Sequence, residues 1–481
     1  MMDKLRIGFA PTRRAAFSKE EAYRYKVLIR EFLNKYSDAI IVIDIEDMNE
    51  EGLLYDDTAM AYKIAEKFKR EKVDCVFIPH CNFGTEDTVA KMCREVDKPV
   101  LLWGPRDDEP LENGLRLRDT QCGLFATGAV LRRFRVPFTY IPNTKIDDPI
   151  FKRRFENFIQ AANVVKAFNN IRILQISTRP SAFWSVICNE GELLEKFNIQ
   201  LFPISLKELE IKTLEIEKED SNELRMEIEK IRSIVDCSGA DPFYVKRVAA
   251  LKLAIAYYAK KELCCAAAIQ CWSALQKSLG IMPCLANALL TDEGIPVACE
   301  TDIHGAISSV MAYAATMGKS PPFFADLTIR HPVNNNAELL FHCGNFPPSL
   351  VKVGCKTKFD NHFLFDDHAP GTHEGEIEGG EITIVRFDGD NGEYSLFLGK
   401  ARGTTGNFTR GTYLWVEVND WSLWEEKLVT GPYIHHCSGV HGNVVPVLYE
   451  ACKYIPGLKA DPVEPSEKEI RDWLRGAINS L

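Results

Sequence analysis

The sequence predicts an α/β protein: two units built on parallel sheets, followed by a β-rich C-terminal domain that is a sandwich or small barrel. Three observations carry this. Short, continuous apolar runs alternate with amphipathic segments from the N-terminus onward, which marks parallel strands covered on both faces. The same alternation restarts near Ile171. After about residue 296, glycine and β-forming residues rise, with turn signals between short runs such as EITIVRF and TYLWVEV. At about 150 residues per domain, 481 residues also suggest about three domains. The expected boundaries give domains over 1–165, 166–295 and 296–481.

In order, Leu5–Ala10 reads as a strand ending at Pro11, and 19–36 carries helical spacing through Ala22, Tyr25, Ile29, Phe32 and Leu33. Ala39–Ile45 is the next strand, 57–71 a helix, Cys75–Pro79 a strand, 85–96 a helix and Val100–Trp103 a strand. The loops after these strands (PTRR, HCNFG, WGPRD) fall at the carboxyl edge, where such sheets bind ligands. In the second unit Ile173–Ile176 and Gln200–Ile204 flank a helix over Glu190–Phe197. The stretch 206–233 is densely charged with apolar residues at helical spacing, the mark of a solvated amphipathic helix. The Ala-rich stretch 243–278 reads as one or two buried helices.

Composition narrows the function. Hydrophobic residues are 46% and charged residues 26%, an ordinary globular balance, and the net charge of -10 argues against nucleic-acid binding. No run approaches a membrane span, and the N-terminal segment lacks a signal-peptide core. Fifteen cysteines without a C-x-x-C pair read as reduced thiols, so a cytoplasmic protein is expected. No G-x-G-x-x-G fingerprint is present, which argues against nicotinamide chemistry.

Nine of the ten histidines follow residue 300. Three clusters combine histidine or carboxylate with glycine: Cys299-Glu300-Thr301-Asp302-Ile303-His304-Gly305, His342-Cys343-Gly344 and His435-His436-Cys437-Ser438-Gly439. Mixed imidazole and carboxylate ligands suit Mn²⁺, Mg²⁺ or Co²⁺ better than a thiolate zinc site. Other readings stand beside this one. Asp302 is well placed to cap the helix that follows, and His342 could be a core histidine. Of the adjacent pair His435 and His436, strand alternation lets only one be a ligand. The loop arginines Arg13, Arg14, Arg106, Arg116, Arg118 and Arg179 are candidates for an anionic group, or for ion pairs that hold loops.

The stretches QCWSALQKSLGIMPCLANALLTDEGIPVACETDIHGA (270–306), FFADLT (323–328), LLFHCGNF (339–346) and GPYIHHCSGVHG (431–442) resemble, in order, segments of the L-fucose and L-arabinose isomerase superfamily. WGPRDD (103–108) and ISTRPSAFWSVICNEGELLEKF (176–197) resemble its two N-terminal domains, so the likeness covers nearly the whole chain. It implies two Rossmann-like domains, a β-rich third, and a homo-oligomer (trimer or hexamer) in which a neighbouring subunit helps close the site. It also implies a bound Mn²⁺ held by two acids and a histidine. The second acid falls on Asp302, with Glu300 also matching, and the histidine on His436; His342 is a possible further ligand. Where the family's first acid is expected, 280–287 has no carboxylate, and Cys284 stands closest.

The resemblance implies a sugar substrate, aldose–ketose isomerisation through an enediol, a metal site of Asp302, His436 and His342, and proton transfer by Glu300 or Asp302. Cys284, His435, Arg13, Arg106 and Arg179 are the expected substrate contacts. The apparent absence of one acid leaves a sugar-binding protein, an epimerase or a lyase as alternatives.

Overall fold

The computed structural model describes residues 3–355, 357–364 and 368–481. Of the described residues, 3–166 together with 468–481 form one compact unit, and those within 167–467 form another.

The N-terminal unit holds a five-stranded parallel sheet of β1 (Leu5–Phe9), β2 (Ile40–Ile43), β3 (Cys75–Pro79), β4 (Val100–Trp103) and β5 (Phe138–Tyr140), ordered β2-β1-β3-β4-β5. Its central strand β3 is buried along its length, which is why CVFIP shows no alternation. The helix Pro149–Phe168 brings Phe151 and Phe155 against Trp103, Phe77 and Phe32, with ring centroids 4.2 to 5.7 Å apart.

The second unit contains two sheets. The smaller is parallel, with β6 (Arg172–Ile176), β7 (Gln200–Ile204), β8 (Ala266–Ile269) and β9 (Val297–Ala298) in the order β7-β6-β8-β9. Strand β8 falls inside the stretch expected to be helical. Four alanine and isoleucine residues buried on both faces have no period to read, so a strand looks like more of the preceding Ala-rich helix Pro242–Lys261. The charged stretch divides into helices Leu206–Glu219, opened by a Ser205–Glu208 capping box, and Asn222–Ile234.

The larger sheet is formed by β10 (Phe323–Arg330), β11 (Ala337–His342), β12 (Lys358–Asn361), β13 (Pro370–Glu376), β14 (Glu381–Asp390), β15 (Glu393–Gly403), β16 (Thr412–Glu417), β17 (His436–His441) and β18 (Leu458–Glu464). Its order is β12-β13-β16-β11-β10-β17-β14-β15-β18, and β15 also pairs with β16. That extra pairing closes six of the strands into a barrel, which removes their open edges.

The sheets of this unit meet on one buried helix, Ile303–Ala315. It packs on β8 and β9 on one side and on β14 and β17 on the other. Ser308 accepts from the Phe387 amide at 2.8 Å, and Ser309 shares a hydrogen bond with Ser438 at 3.1 Å. At Gly305 a Cβ would lie 2.3 Å from the Phe324 ring, so only glycine lets the helix start this close to β10. This shared helix is why the second α/β sheet and the barrel form one compact unit.

Two histidines are structural. His373 Nε2 donates to the Phe346 carbonyl (2.8 Å) while the Thr357 hydroxyl donates to its Nδ1 (2.6 Å). His80 Nδ1 donates to the Phe83 carbonyl at 2.7 Å. Burial pushes both down to about 4. As pH falls below about 6.5, the unfolded chain takes up protons that the folded chain refuses, so stability falls until about pH 4. Each ring should cost about 3 kcal/mol over that window. Urea unfolding at pH 7 and pH 4.5 should show the loss, and His373→Gln should make it shallower.

Candidate active site

The site is built on the turn between β9 and the helix Ile303–Ala315. Glu300 and Thr301 both take left-handed backbone conformations (φ 53° and 57°), which non-glycine residues rarely adopt in succession. The chain therefore reverses at Glu300, and the residue is only 4% exposed. Such a cost is sustained when the surrounding structure holds a functional side chain in place.

Asp302 closes the turn as the helix cap, accepting from the Gly305 amide at 2.9 Å. The same carboxylate takes both terminal nitrogens of Arg386, one at 3.2 Å and one in a shorter contact, and accepts from His436 Nδ1 at 2.9 Å. Burial alone would raise this carboxyl, but Arg386 and His436 outweigh it and hold it well below the ordinary range. Arg386 is itself buried, and its Nε donates to Asp388 at 2.8 Å; the other Asp388 oxygen meets His304 Nδ1 at 2.8 Å. Asp302 was expected to hold a metal and carry a proton. Its oxygens are instead committed to a cap, a guanidinium and an imidazole.

What Asp302 does is set the tautomer of His436. With the Nδ1 proton held by a carboxylate, the Nε2 lone pair is free, the arrangement found behind metal-binding histidines. His436 Nε2 lies 3.4 Å from Asp326 Oδ1 and 3.8 Å from Glu300 Oε2. Both carboxylate oxygens are buried and have no hydrogen-bond partner. Register explains the meeting: β10 and β17 run antiparallel with Asp326 opposite His436. Ligands sharing one divalent ion at about 2.1 Å lie about 3–4 Å apart, and His436 Nε2 stands at that spacing from one oxygen of Asp326 and one of Glu300. The donor set of two carboxylates and one imidazole is hard to borderline.

Asp326 was missed by sequence reasoning, although FFADLT had been singled out. The signal was alternation: Phe324 and Asp326 share a strand face, and Phe324 packs on both His436 (5.0 Å between ring centroids) and His342 (5.6 Å). The second carboxylate near His436 Nε2 is therefore a half-buried residue downstream of Glu300. Cys284 sits with Met282, Cys343 and Ala369 in a small apolar cluster, where burial raises its thiol well above the usual range.

His342 faces the same point, with Nε2 3.8 Å from Glu300 Oε2. Its Nδ1 accepts the Cys343 amide at 2.9 Å, so the neutral ring carries its proton on Nε2. It therefore faces Glu300 as a donor, not as the ligand that was expected. Glu300 Oε1 accepts from the Cys271 thiol at 3.1 Å, which leaves Oε2 for the site. Cys299 is buried beside it and receives the Asn345 amide at 3.4 Å. His435 precedes β17 and so escapes strand alternation. Its ring lies 4.2 Å from that of His436, and one of its nitrogens is within 4.8 Å of the Asp326 and His436 ligand atoms.

The loop arginines divide. Arg13 is held by both oxygens of Glu51 (2.5 and 3.1 Å), Arg14 by Glu86 (2.7 Å), Arg116 by Asp119 (2.7 Å) and Arg118 by Asp108 (3.1 Å). Arg106 is an exposed residue of the N-terminal unit. Arg179 lines a cleft in the second unit.

Residues 8–169 match the family described as fucose/sulfoquinovose isomerase, N-terminal domain, and 340–457 match L-fucose isomerase, C-terminal domain. The chain belongs to the fucose isomerase superfamily. It is a sugar isomerase, an enzyme of the aldose–ketose kind. Curated relatives include a sulfoquinovose isomerase from Priestia megaterium, 25% identical over 462 residues, covering 93% of this chain and 97% of that one. One from Alkalicoccus urumqiensis is 25% identical over 390 residues (78% and 83%), and one from Clostridium sp. strain MSTE9 is 25% identical over 282 residues (58% and 61%). Among the described residues, no helix is long and apolar enough to cross a membrane.

Arg386→Met should strand Asp302 and Asp388 as buried charges without their partner. Removing one member of such a set costs about 3–5 kcal/mol. The loss should appear as a lower urea midpoint at pH 7.

Proposed function

We propose that this enzyme interconverts the aldose and ketose forms of an anionic sugar of the sulfoquinovose kind, with a divalent ion, Mn²⁺ or a similar one such as Mg²⁺ or Co²⁺, held by Glu300, Asp326 and His436. The observation that carries the reading is the meeting of two buried, unpartnered carboxylate oxygens with the free Nε2 of His436. The family likeness calls for two acids and a histidine, and Asp326 supplies the acid that 280–287 lacks. The alternatives of a binding protein, epimerase or lyase rested on that lack. As in the superfamily, a homo-oligomer is part of the proposal.

A bound divalent ion would supply Lewis acidity to the sugar and make the C2 proton easier to remove. The rest is done by the chain. Glu300, with Oε1 held by the Cys271 thiol, takes the proton from C2 and returns it to C1. His342, protonated on Nε2, donates toward the sugar oxygen where negative charge develops and takes part in moving the hydroxyl proton. Asp302 touches no sugar: it holds the His436 ring, and Arg386 holds Asp302. His435 borders the same space and contacts a hydroxyl.

Sulfoquinovose in D₂O with Mn²⁺ should yield the ketose with deuterium incorporated at the exchanging carbon, and EDTA should stop it. Glu300→Gln should lower kcat by about 100- to 10,000-fold. Asp326→Asn and His436→Gln should lose bound metal, measured by plasma mass spectrometry, whereas His342→Gln should keep it. Tight binding of a range of aldoses and ketoses without exchange, metal being bound, would sink the isomerase reading for this substrate class.

A further inference from the structure

The groups around Glu300 act on one end of the sugar and leave its charged end unexplained. Beside the Glu300–Asp302 turn lies a cleft of 610 Å³, within the usual range for small-ligand sites. Gln175, Thr178, Arg179, Ser181, Gln270 and Thr301 supply its polar wall. The Thr301 hydroxyl donates to the Thr178 carbonyl at 3.2 Å, so the loop carrying Arg179 is tied to the residue that follows Glu300.

Arg179 differs from the paired arginines of the other loops. Its Nη1 donates to the Pro180 and Ser181 carbonyls at 3.2 and 3.0 Å, which fixes the guanidinium without neutralising it. The Trp184 ring lies 5.5 Å from its central carbon. Among the described residues no carboxylate pairs with it. Its Nε and Nη2 therefore remain available as a fork, the geometry that receives two oxygens of one anionic group. Nearby, Gln270 accepts from the Ser177 hydroxyl through Oε1 at 2.9 Å, which turns its amide hydrogens toward other acceptors.

Resting on the isomerase reading above, we infer that Arg179 is the specificity-determining residue of this enzyme: it binds the sulfonate or equivalent anionic group at the end of the sugar remote from the reacting carbons. Gln270 lies in the same wall and serves the hydroxyls between the two ends. The cleft selects a charged sugar because an uncharged one leaves a partly buried guanidinium without its counter-charge.

The test compares sulfoquinovose with its uncharged analogue 6-deoxyglucose in the wild type, Arg179→Gln and Arg179→Lys. The ratio of kcat/KM for the sulfonated over the uncharged sugar should collapse about 10- to 100-fold in Arg179→Gln. The loss should sit mainly in KM, Arg179→Lys should be intermediate, and added salt should weaken the wild-type preference. An unchanged ratio in a folded Arg179→Gln protein, checked by circular dichroism, overturns the inference and leaves the isomerase reading intact. A wild type that isomerises both sugars equally also overturns it, together with the anionic part of the proposed substrate. If neither sugar turns over, the isomerase reading fails for these sugars. Calorimetric binding of sulfoquinovose then decides the inference: a 10- to 100-fold weaker Kd in Arg179→Gln supports it, and equal affinities reject it.

Discussion

The ion pair of Arg386 with Asp302 is the constraint on which the rest of the site depends. Both groups are buried, so each is tolerable only because the other is present. Through Asp302 the pair reaches the cap of the helix Ile303–Ala315 and the ring of His436; through Asp388 it reaches His304. One arginine from a barrel strand thereby orients a histidine on another strand and the start of the helix that both sheets share. Every member of this chain has a donor or acceptor with charge-assisted geometry, which a buried polar network requires.

The division of labour among the carboxylates follows from their partners, not from their spacing. Glu300 and Asp302 are two residues apart, and the consecutive left-handed conformations at Glu300 and Thr301 separate their tasks. Asp302 is saturated by donors and serves structure. Glu300 is satisfied on one oxygen by a thiol and keeps the other free. Asp326 has a similarly free oxygen, on the strand whose Phe324 ring packs on His436 and His342. The two histidines divide in the same way: a carboxylate behind His436 leaves its outer nitrogen bare, and an amide behind His342 leaves its outer nitrogen protonated.

Local patterning determined the parallel sheets, the charged helices over 206–234, the β-rich C-terminal region and the segments in which the site lies. Those features follow from the periodicity of neighbouring side chains and from glycine-rich turns, which a chain carries in its order. The same order singles out Glu300, Asp302, His342, His435, His436, Cys284, Arg13, Arg106 and Arg179 as candidates, without ranking them. Strand β8 escaped because a short alanine run buried on both sides has no period, and the apolar cluster that holds Cys284 with Met282, Cys343 and Ala369 has no local signature either.

Only the tertiary structure decided the roles. Whether a carboxylate is a cap or a ligand depends on which donors converge on it, and Arg386, 84 positions from Asp302, gives no local sign of its target. Asp326 joins the site because two strands distant in sequence pair in a register that sets it opposite His436. The tautomers of the two histidines, and the lack among the described residues of a carboxylate paired with Arg179, are likewise properties of neighbours brought together by folding. Spacing along the chain names candidate residues; which hydrogen bonds each carboxylate and imidazole makes is set only by the fold.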